Sequence, residues 1–146
     1  MDAATILVVD DEADYRATLR RALEREGYSV REAAGGAEAM RRLQTERCDL
    51  MILDLSMPGM TGLEFLEALR AASRVAPPAI VLTAFGDWGS YARAVELGAV
   101  AFLSKPIGTG ELVREAARAL AARPCAGGPT APGKFGAERD SGPGRT

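Results

Sequence analysis

Five short apolar runs alternate along this chain with five amphipathic segments, and this alternation restricts the possible folds more than any other feature. The apolar runs are predicted strands at 5–9, 29–33, 50–55, 79–83 and 101–104. The segments with apolar residues at helical spacing are predicted helices at 14–26, 36–46, 62–72, 89–97 and 109–121. Since a helix follows each strand across a short connection, we predict an α/β fold, with a doubly wound, five-stranded parallel sheet covered by helices on both faces.

The third run, "LMILDLSMPG", contains an acid among apolar residues. A nearly continuous apolar run is typical of a strand buried on both faces of a parallel sheet. A carboxylate in such a strand is costly to bury unless another group pairs with it. Asp54, at the end of this strand, therefore needs a partner that the local sequence does not provide.

Polar residues follow four of the five predicted strands at their carboxyl ends. Strand one is followed by Asp10 and Asp11, strand three ends near Asp54, strand four ends at Thr83, and Lys105 follows strand five. Ligands of open α/β sheets bind at this edge, so we expect these side chains to converge there. Strand two, the most polar, is expected at the sheet edge and contributes no obvious site residue.

Three carboxylates in one place repel each other, so at least one proton or cation must compensate their charge. Oxygen ligands favour a hard ion, Mg²⁺ rather than zinc. Beside such an ion, Asp54 is suited to attack phosphorus, while Lys105 neutralises charge on the moving phosphoryl group and Thr83 donates a hydrogen bond to it.

Four motifs together resemble the receiver domains of two-component response regulators: "LVVDDE", "LDLSMPGMTGLEFL", "VLTA" and "FLSKP", in the family's order and spacing over about residues 4–121. The resemblance implies a flavodoxin-like strand order 2-1-3-4-5. It implies that Asp54 is the phosphoacceptor and that Asp10, Asp11, Asp54 and the main-chain carbonyl of Ser56 hold Mg²⁺. The stretch "TAFGD…AV" is similar to receivers that precede transcriptional output domains.

The resemblance also implies a switch. Lys105 contacts the phosphoryl group, Thr83 is the switch hydroxyl, Phe102 is the switch aromatic, and the peptide bond before Pro106 is cis. The phosphoryl donor is a sensor histidine kinase or a phosphotransfer protein. The fourth helix, fifth strand and fifth helix then form the face that changes its contacts with an output domain, a partner protein or a second copy. Trp88, five residues beyond Thr83, is expected to report this change.

Composition excludes several other classes of protein. The chain has 146 residues, a net charge of −2 and no histidine. Histidine-based catalysis and histidine-ligated metals are therefore excluded, and neither nucleic-acid nor membrane binding is expected. No signal peptide is recognisable, so we expect a cytoplasmic protein. We predict a receiver domain over 1–123 and a disordered tail or linker, rich in Gly and Pro, over 124–146.

Two alternatives remain open from the residues. A haloacid-dehalogenase-like, Mg²⁺-dependent phosphohydrolase also uses an aspartate nucleophile, but it needs a second Asp two residues later, where this chain has Ser56. A receiver that is never phosphorylated and only docks to partners is the other alternative, and the complete set of polar residues argues against it. If the chain is a phosphorylation-dependent switch, we expect it to catalyse only its own phosphotransfer and autodephosphorylation and to be no enzyme in the usual sense.

Overall fold

The computed structural model describes residues 3–72, 76–84 and 89–122, which contain five strands and five helices in strict alternation. The predicted tail at 124–146 and Trp88 lie outside the described residues. The elements are β1 (Thr5–Val9), α1 (Ala13–Arg25), β2 (Ser29–Ala33), α2 (Gly36–Thr45), β3 (Leu50–Asp54), α3 (Gly62–Ala71), β4 (Ala79–Thr83), α4 (Tyr91–Glu96), β5 (Ala99–Ser104) and α5 (Thr109–Ala122).

All five strands are parallel and lie in the order β2-β1-β3-β4-β5. The predicted fold class and strand order are therefore confirmed. β3 is central and all five of its residues are buried, whereas β2 is an edge strand with exposed and half-buried positions. This explains the apolar run around Asp54 and the more polar sequence of β2.

The core lies in two layers, one on each face of the sheet. Alternate residues of β1 and β3 point to opposite faces: Leu7 and Leu53 belong to one layer, and Val8 and Ile52 to the other. Residues of α2, α3 and α4 complete the first layer, and residues of α1 and α5 complete the second. The helices therefore cover both faces, and the carboxyl edge of the sheet remains for polar groups.

Helix ends are set by local chemistry. Gly27 has φ 97°, which places it in the left-handed region that terminates α1. At the start of α3, Thr61 and Glu64 form a capping box: the Glu64 N–H donates to Thr61 Oγ1 at 3.2 Å and the Thr61 N–H donates to Glu64 Oε1 at 2.9 Å. α4 is shorter than predicted at both ends, beginning at Tyr91 and ending at Glu96.

The start of β5 also differs from the prediction, since this strand begins at Ala99 and not at residue 101. The register shifts here, since Ala79 pairs with Ala99 and Ile80 with Ala101. Val100 is the extra residue in this irregularity and is 43% exposed. An extra residue interrupts the period-two pattern from which the strand was predicted.

Among the described residues, no helix combines the length and the apolar character that crossing a bilayer requires.

Candidate functional site at the carboxyl edge of the sheet

Three carboxylates meet where β1 and β3 end. Asp10 and Asp11 directly follow β1, and Asp54 is the last residue of β3. Each offers an oxygen, and these oxygens all lie within 4.8 Å of one another. Asp10 and Asp54 are only 1% and 3% exposed, whereas Asp11 is exposed to solvent. The cluster is therefore an acidic pocket with a buried floor and one accessible side.

Lys105 spans the two buried acids of this pocket. Its Nζ lies 3.1 Å from Asp10 Oδ2 and 3.4 Å from Asp54 Oδ2. The backbone N–H of Lys105 donates to the Thr83 carbonyl oxygen at 2.7 Å, which joins the ends of β4 and β5. The Lys105–Pro106 peptide bond is cis, as the sequence motif implied. Asp54 thus has the partner that its burial requires.

Backbone amides hold both buried carboxylates in place. The Glu12 N–H donates to Asp10 Oδ1 at 2.8 Å, and the Ser56 N–H donates to Asp54 Oδ1 at 3.2 Å. Each bond comes from the residue two positions later, where the chain turns out of its strand. The turns after β1 and β3 therefore orient the acids toward each other.

Burial and neighbouring charge act together on the ionisation of the site. Burial disfavours the carboxylate form of Asp54 and, together with the charge of Asp10, raises the pKa of Asp54, although Lys105 opposes this effect. Burial alone would lower the pKa of Lys105, but attraction to Asp54 and Asp10 outweighs it and raises that pKa. One ammonium against three carboxylates leaves excess negative charge, which suits a divalent cation.

The comparisons with known proteins agree with this geometry. The family model of the response regulator receiver domain matches residues 6–117. The chain belongs to this family. The transcriptional regulatory protein ResD of Bacillus subtilis is 42% identical over 108 residues, which are 74% of this chain and 44% of ResD. Sporulation initiation phosphotransferase F of Bacillus subtilis is 36% identical over 110 residues, which are 73% of this chain and 86% of that protein.

Solved receiver structures share the fold. The chemotaxis protein CheY4 of Vibrio cholerae superimposes with a TM-score of 0.75 at 34% identity, covering 81% of this chain and 99% of CheY4.

The chain spans about half the length of several of the curated relatives that it matches, including ResD and the KDP operon regulator KdpE of Escherichia coli. Receiver domains are signalling switches rather than conventional enzymes. The haloacid-dehalogenase-like alternative finds no support in these matches.

In this receiver domain, the remaining predicted site residues lie at the same edge or behind it. Thr83, the last residue of β4, is completely buried. Ser56 lies two residues beyond Asp54 at an exposed position, and its N–H is the donor to Asp54 Oδ1. Phe102 is 9% exposed and contacts Tyr91 edge to face, with ring centroids 5.3 Å apart. Phe102 is therefore a core residue of β5, packed beneath α4.

The structure adds three residues that sequence reasoning did not assign to the site. Arg16 Nη1 donates to the main-chain carbonyl of Asp10 at 2.6 Å, and Arg16 Nε pairs with Glu32 Oε1 at 3.0 Å. Strand β2 thus takes an indirect part, because Glu32 anchors the arginine behind Asp10. Tyr15, in the first turn of α1, lies against Lys105. No local pattern indicates these contacts, since the partners belong to different elements.

The acidic pocket fits the metal that the family implies. All the clustered ligand atoms are carboxylate oxygens, which are the donors that Mg²⁺ prefers. The accessible side at Asp11 leaves room for water ligands, which Mg²⁺ usually retains. The donor set contains neither sulfur nor imidazole, so it disfavours zinc.

Proposed function

We propose that Asp54 of this receiver domain is the phosphoacceptor, that Asp10, Asp11, Asp54 and the main-chain carbonyl of Ser56 bind Mg²⁺, and that the phosphorylated form is the signalling state. The observation that carries the proposal is the position of Asp54. It is a buried carboxylate that lies within 4.8 Å of two other acids and 3.4 Å from one ammonium. A structural role alone does not require so many charged groups at one edge.

The chemistry follows from these residues. An Asp54 oxygen attacks the phosphorus, the new O–P bond forms, and the N–P bond of a phosphohistidine donor breaks. Lys105 is placed to neutralise charge on the phosphoryl oxygens, and the Thr83 hydroxyl is placed to donate to one of them. A bound Mg²⁺ supplies further charge neutralisation at the phosphoryl group. We propose a sensor histidine kinase or a phosphotransfer protein as the donor. We also propose that autodephosphorylation, in which water attacks the phosphorus and inorganic phosphate leaves Asp54, ends the signal.

The consequence of phosphorylation is a shift between two states of the domain. Phosphate on Asp54 favours the state in which Thr83 has moved toward it, since only that state gains the hydrogen bond. Thr83 and Phe102 lie on neighbouring strands, and Phe102 packs beneath α4. We propose that the face formed by α4, β5 and α5 thereby changes its affinity for an output domain, a partner protein or a second copy.

The test is incubation with acetyl phosphate and Mg²⁺, followed by intact-mass measurement. Wild type is expected to gain about 80 Da, one phosphoryl group, and Asp54→Ala is expected to gain nothing. Asp14→Ala is the matched control, because Asp14 is an exposed acid in the first turn of α1 outside the cluster. Omission of Mg²⁺ should abolish the gain in wild type. A persistent gain in Asp54→Ala would contradict the assignment.

A further inference from the structure

Lys105 has a third neighbour besides its two acids. Its Nζ lies 4.7 Å from the centroid of the Tyr15 ring, within the range of a cation–π interaction. Tyr15 lies in the first turn of α1, three residues after the turn that carries Asp11 and Asp10. Its side chain is half-buried and packs on the core layer beneath α1 and α5. The ring is therefore fixed by the core on one side and faces the ammonium on the other.

The contact is made by the ring and not by the hydroxyl. Tyr15 Oη is buried and has no hydrogen-bond partner among the described residues. Leaving a buried hydroxyl without a partner is unfavourable, so the hydroxyl does not explain the presence of this tyrosine. An aromatic face has a negative electrostatic potential that attracts an ammonium group. The geometry thus distinguishes the aromatic ring of Tyr15 from its hydroxyl, and only the ring contacts Lys105.

Lys105 needs this kind of support for a physical reason. A lysine has a flexible four-carbon stem, and its ammonium lacks the planar, forked donor geometry that orients an arginine guanidinium. Its two polar partners, Asp10 and Asp54, are the same carboxylates that we assign to Mg²⁺ binding. When these oxygens coordinate a cation, the ring remains as a partner that does not compete for them. The ring can therefore continue to hold the ammonium beside Asp54, whose Oδ2 lies 3.4 Å from Lys105 Nζ.

We propose that Tyr15 is a positioning residue for Lys105, which it holds at the phosphorylation site through the face of its ring. This inference rests on the proposed function of Asp54 and Lys105. It gives α1 a role in phosphoryl transfer, in addition to the role of the Mg²⁺ ligands Asp10 and Asp11 that follow β1. It requires an aromatic ring at residue 15 and does not require the hydroxyl.

The contact itself is tested by NMR of lysine side chains. The chain contains only two lysines, Lys105 and Lys134, so selective labelling gives one signal for the site and one internal reference. The ε-methylene protons of Lys105 should be shifted upfield by the Tyr15 ring current in wild type and in Tyr15→Phe. The shift should disappear in Tyr15→Leu. An unchanged Lys105 signal in Tyr15→Leu would overturn the proposal.

The role in phosphoryl transfer is tested by the rate of modification with acetyl phosphate. Tyr15→Leu should slow this rate by about three- to tenfold, and Tyr15→Phe should restore it. Tyr28→Leu is the matched control, because Tyr28 packs on the same core layer but precedes β2 at the opposite edge of the sheet. Its rate should remain that of wild type even if its melting temperature falls.

A double-mutant cycle separates positioning from packing. In a Lys105→Ala background, Tyr15→Leu should cause no further loss of rate, since the residue acts through Lys105. A rate in Tyr15→Phe as low as that in Tyr15→Leu would overturn the proposal, as would equal losses with and without Lys105. If wild type itself gains no phosphoryl group, the proposed function fails, and the NMR shift alone then decides whether Tyr15 places the ammonium.

Discussion

Thr83 is the last residue of β4, and Lys105 directly follows β5. The two side chains differ in charge, so we expect different effects when each is removed. Lys105 is an ammonium within 3.4 Å of two buried carboxylates. Thr83 is a neutral residue in register with Ser104 of β5 and is completely buried. A charge acts on the phosphoryl group during transfer, whereas a hydroxyl acts mainly by selecting the state that follows.

We predict that Thr83→Ala still accepts phosphate but switches poorly, because one neutral hydrogen bond contributes only about 1 kcal/mol. The measurement is emission of Trp88, the only tryptophan, on addition of beryllofluoride, a phosphoryl mimic, with Mg²⁺. The emission change should be smaller than in wild type, and Thr83→Ser, which keeps the hydroxyl, should restore it. If fluorine NMR shows the mimic bound to wild type and Trp88 emission stays flat, the segment that contains Trp88 is not part of the switch.

Lys105→Ala is expected to fail earlier, with slower phosphorylation as well as weaker switching. Removing the ammonium also removes a cation that competes for Asp10 and Asp54, so Mg²⁺ should bind at least as tightly as in wild type. Phosphorylation rates and a Mg²⁺ titration distinguish this outcome from simple unfolding. A Lys105→Ala variant with wild-type phosphotransfer and partner binding would contradict the role assigned to Lys105.

At the scale of secondary-structure elements, the turn from β3 to α3 is the tightest part of the site. A Cβ built on Gly62 would lie 2.7 Å from the Asp54 carbonyl oxygen and 2.9 Å from the Leu55 Cα. The Gly62 N–H also donates to the Leu55 carbonyl oxygen at 3.1 Å. Because these neighbours are largely backbone, they cannot move without moving the end of β3. The missing side chain of Gly62 therefore sets the position of the acceptor.

We predict that Gly62→Ala lowers the free energy of unfolding by about 1–3 kcal/mol and slows phosphorylation of Asp54. Gly36→Ala is the matched control, since Gly36 also begins a helix and is also buried. Its added Cβ would meet the Met60 Sδ at 2.6 Å, at the end of a flexible side chain that can shift. Denaturant unfolding should show the smaller loss for Gly36→Ala. Equal losses in the two variants would contradict this account of the turn.

At the scale of the whole molecule, the described core is closed on both faces of the sheet by the five helices. The last helix, α5, buries Leu112 and Ala116 and completes the layer that it shares with α1. Residues 124–146 follow it and contain Phe135 as their only aromatic side chain. Such a composition offers too little apolar area to offset the entropy of ordering the segment.

We therefore predict that deletion of residues 124–146 leaves the melting temperature nearly unchanged. As a control, deletion from residue 116 onward removes the second half of α5 and should cause a large loss of stability. Thermal unfolding followed by circular dichroism measures both. A loss of several degrees after the shorter deletion would show that the tail docks on the domain, with Phe135 as the first residue to test.

The sequence by itself determined the elements, their order and the convergence of the acids. Period-two and period-3.6 patterns show which face of an element is buried, and parallel topology brings the carboxyl ends of the strands together. Asp10, Asp54 and Lys105 could therefore be placed at one edge from their positions after apolar runs. The prediction was weakest at β5, where Val100 interrupts the pattern, and at the ends of the short helix α4.

Only the tertiary structure decided which side chains meet across elements. Tyr15 lies under Lys105, Glu32 anchors Arg16 behind Asp10, and Gly62 lets the chain pass close to the acceptor strand. The members of each pair belong to different strands, helices or turns. Within its own segment, each residue looks like an ordinary core, surface or turn residue. Local periodicity records whether a position is buried, but it carries no information about which distant residue is buried against it. That choice depends on the packing of the assembled layers.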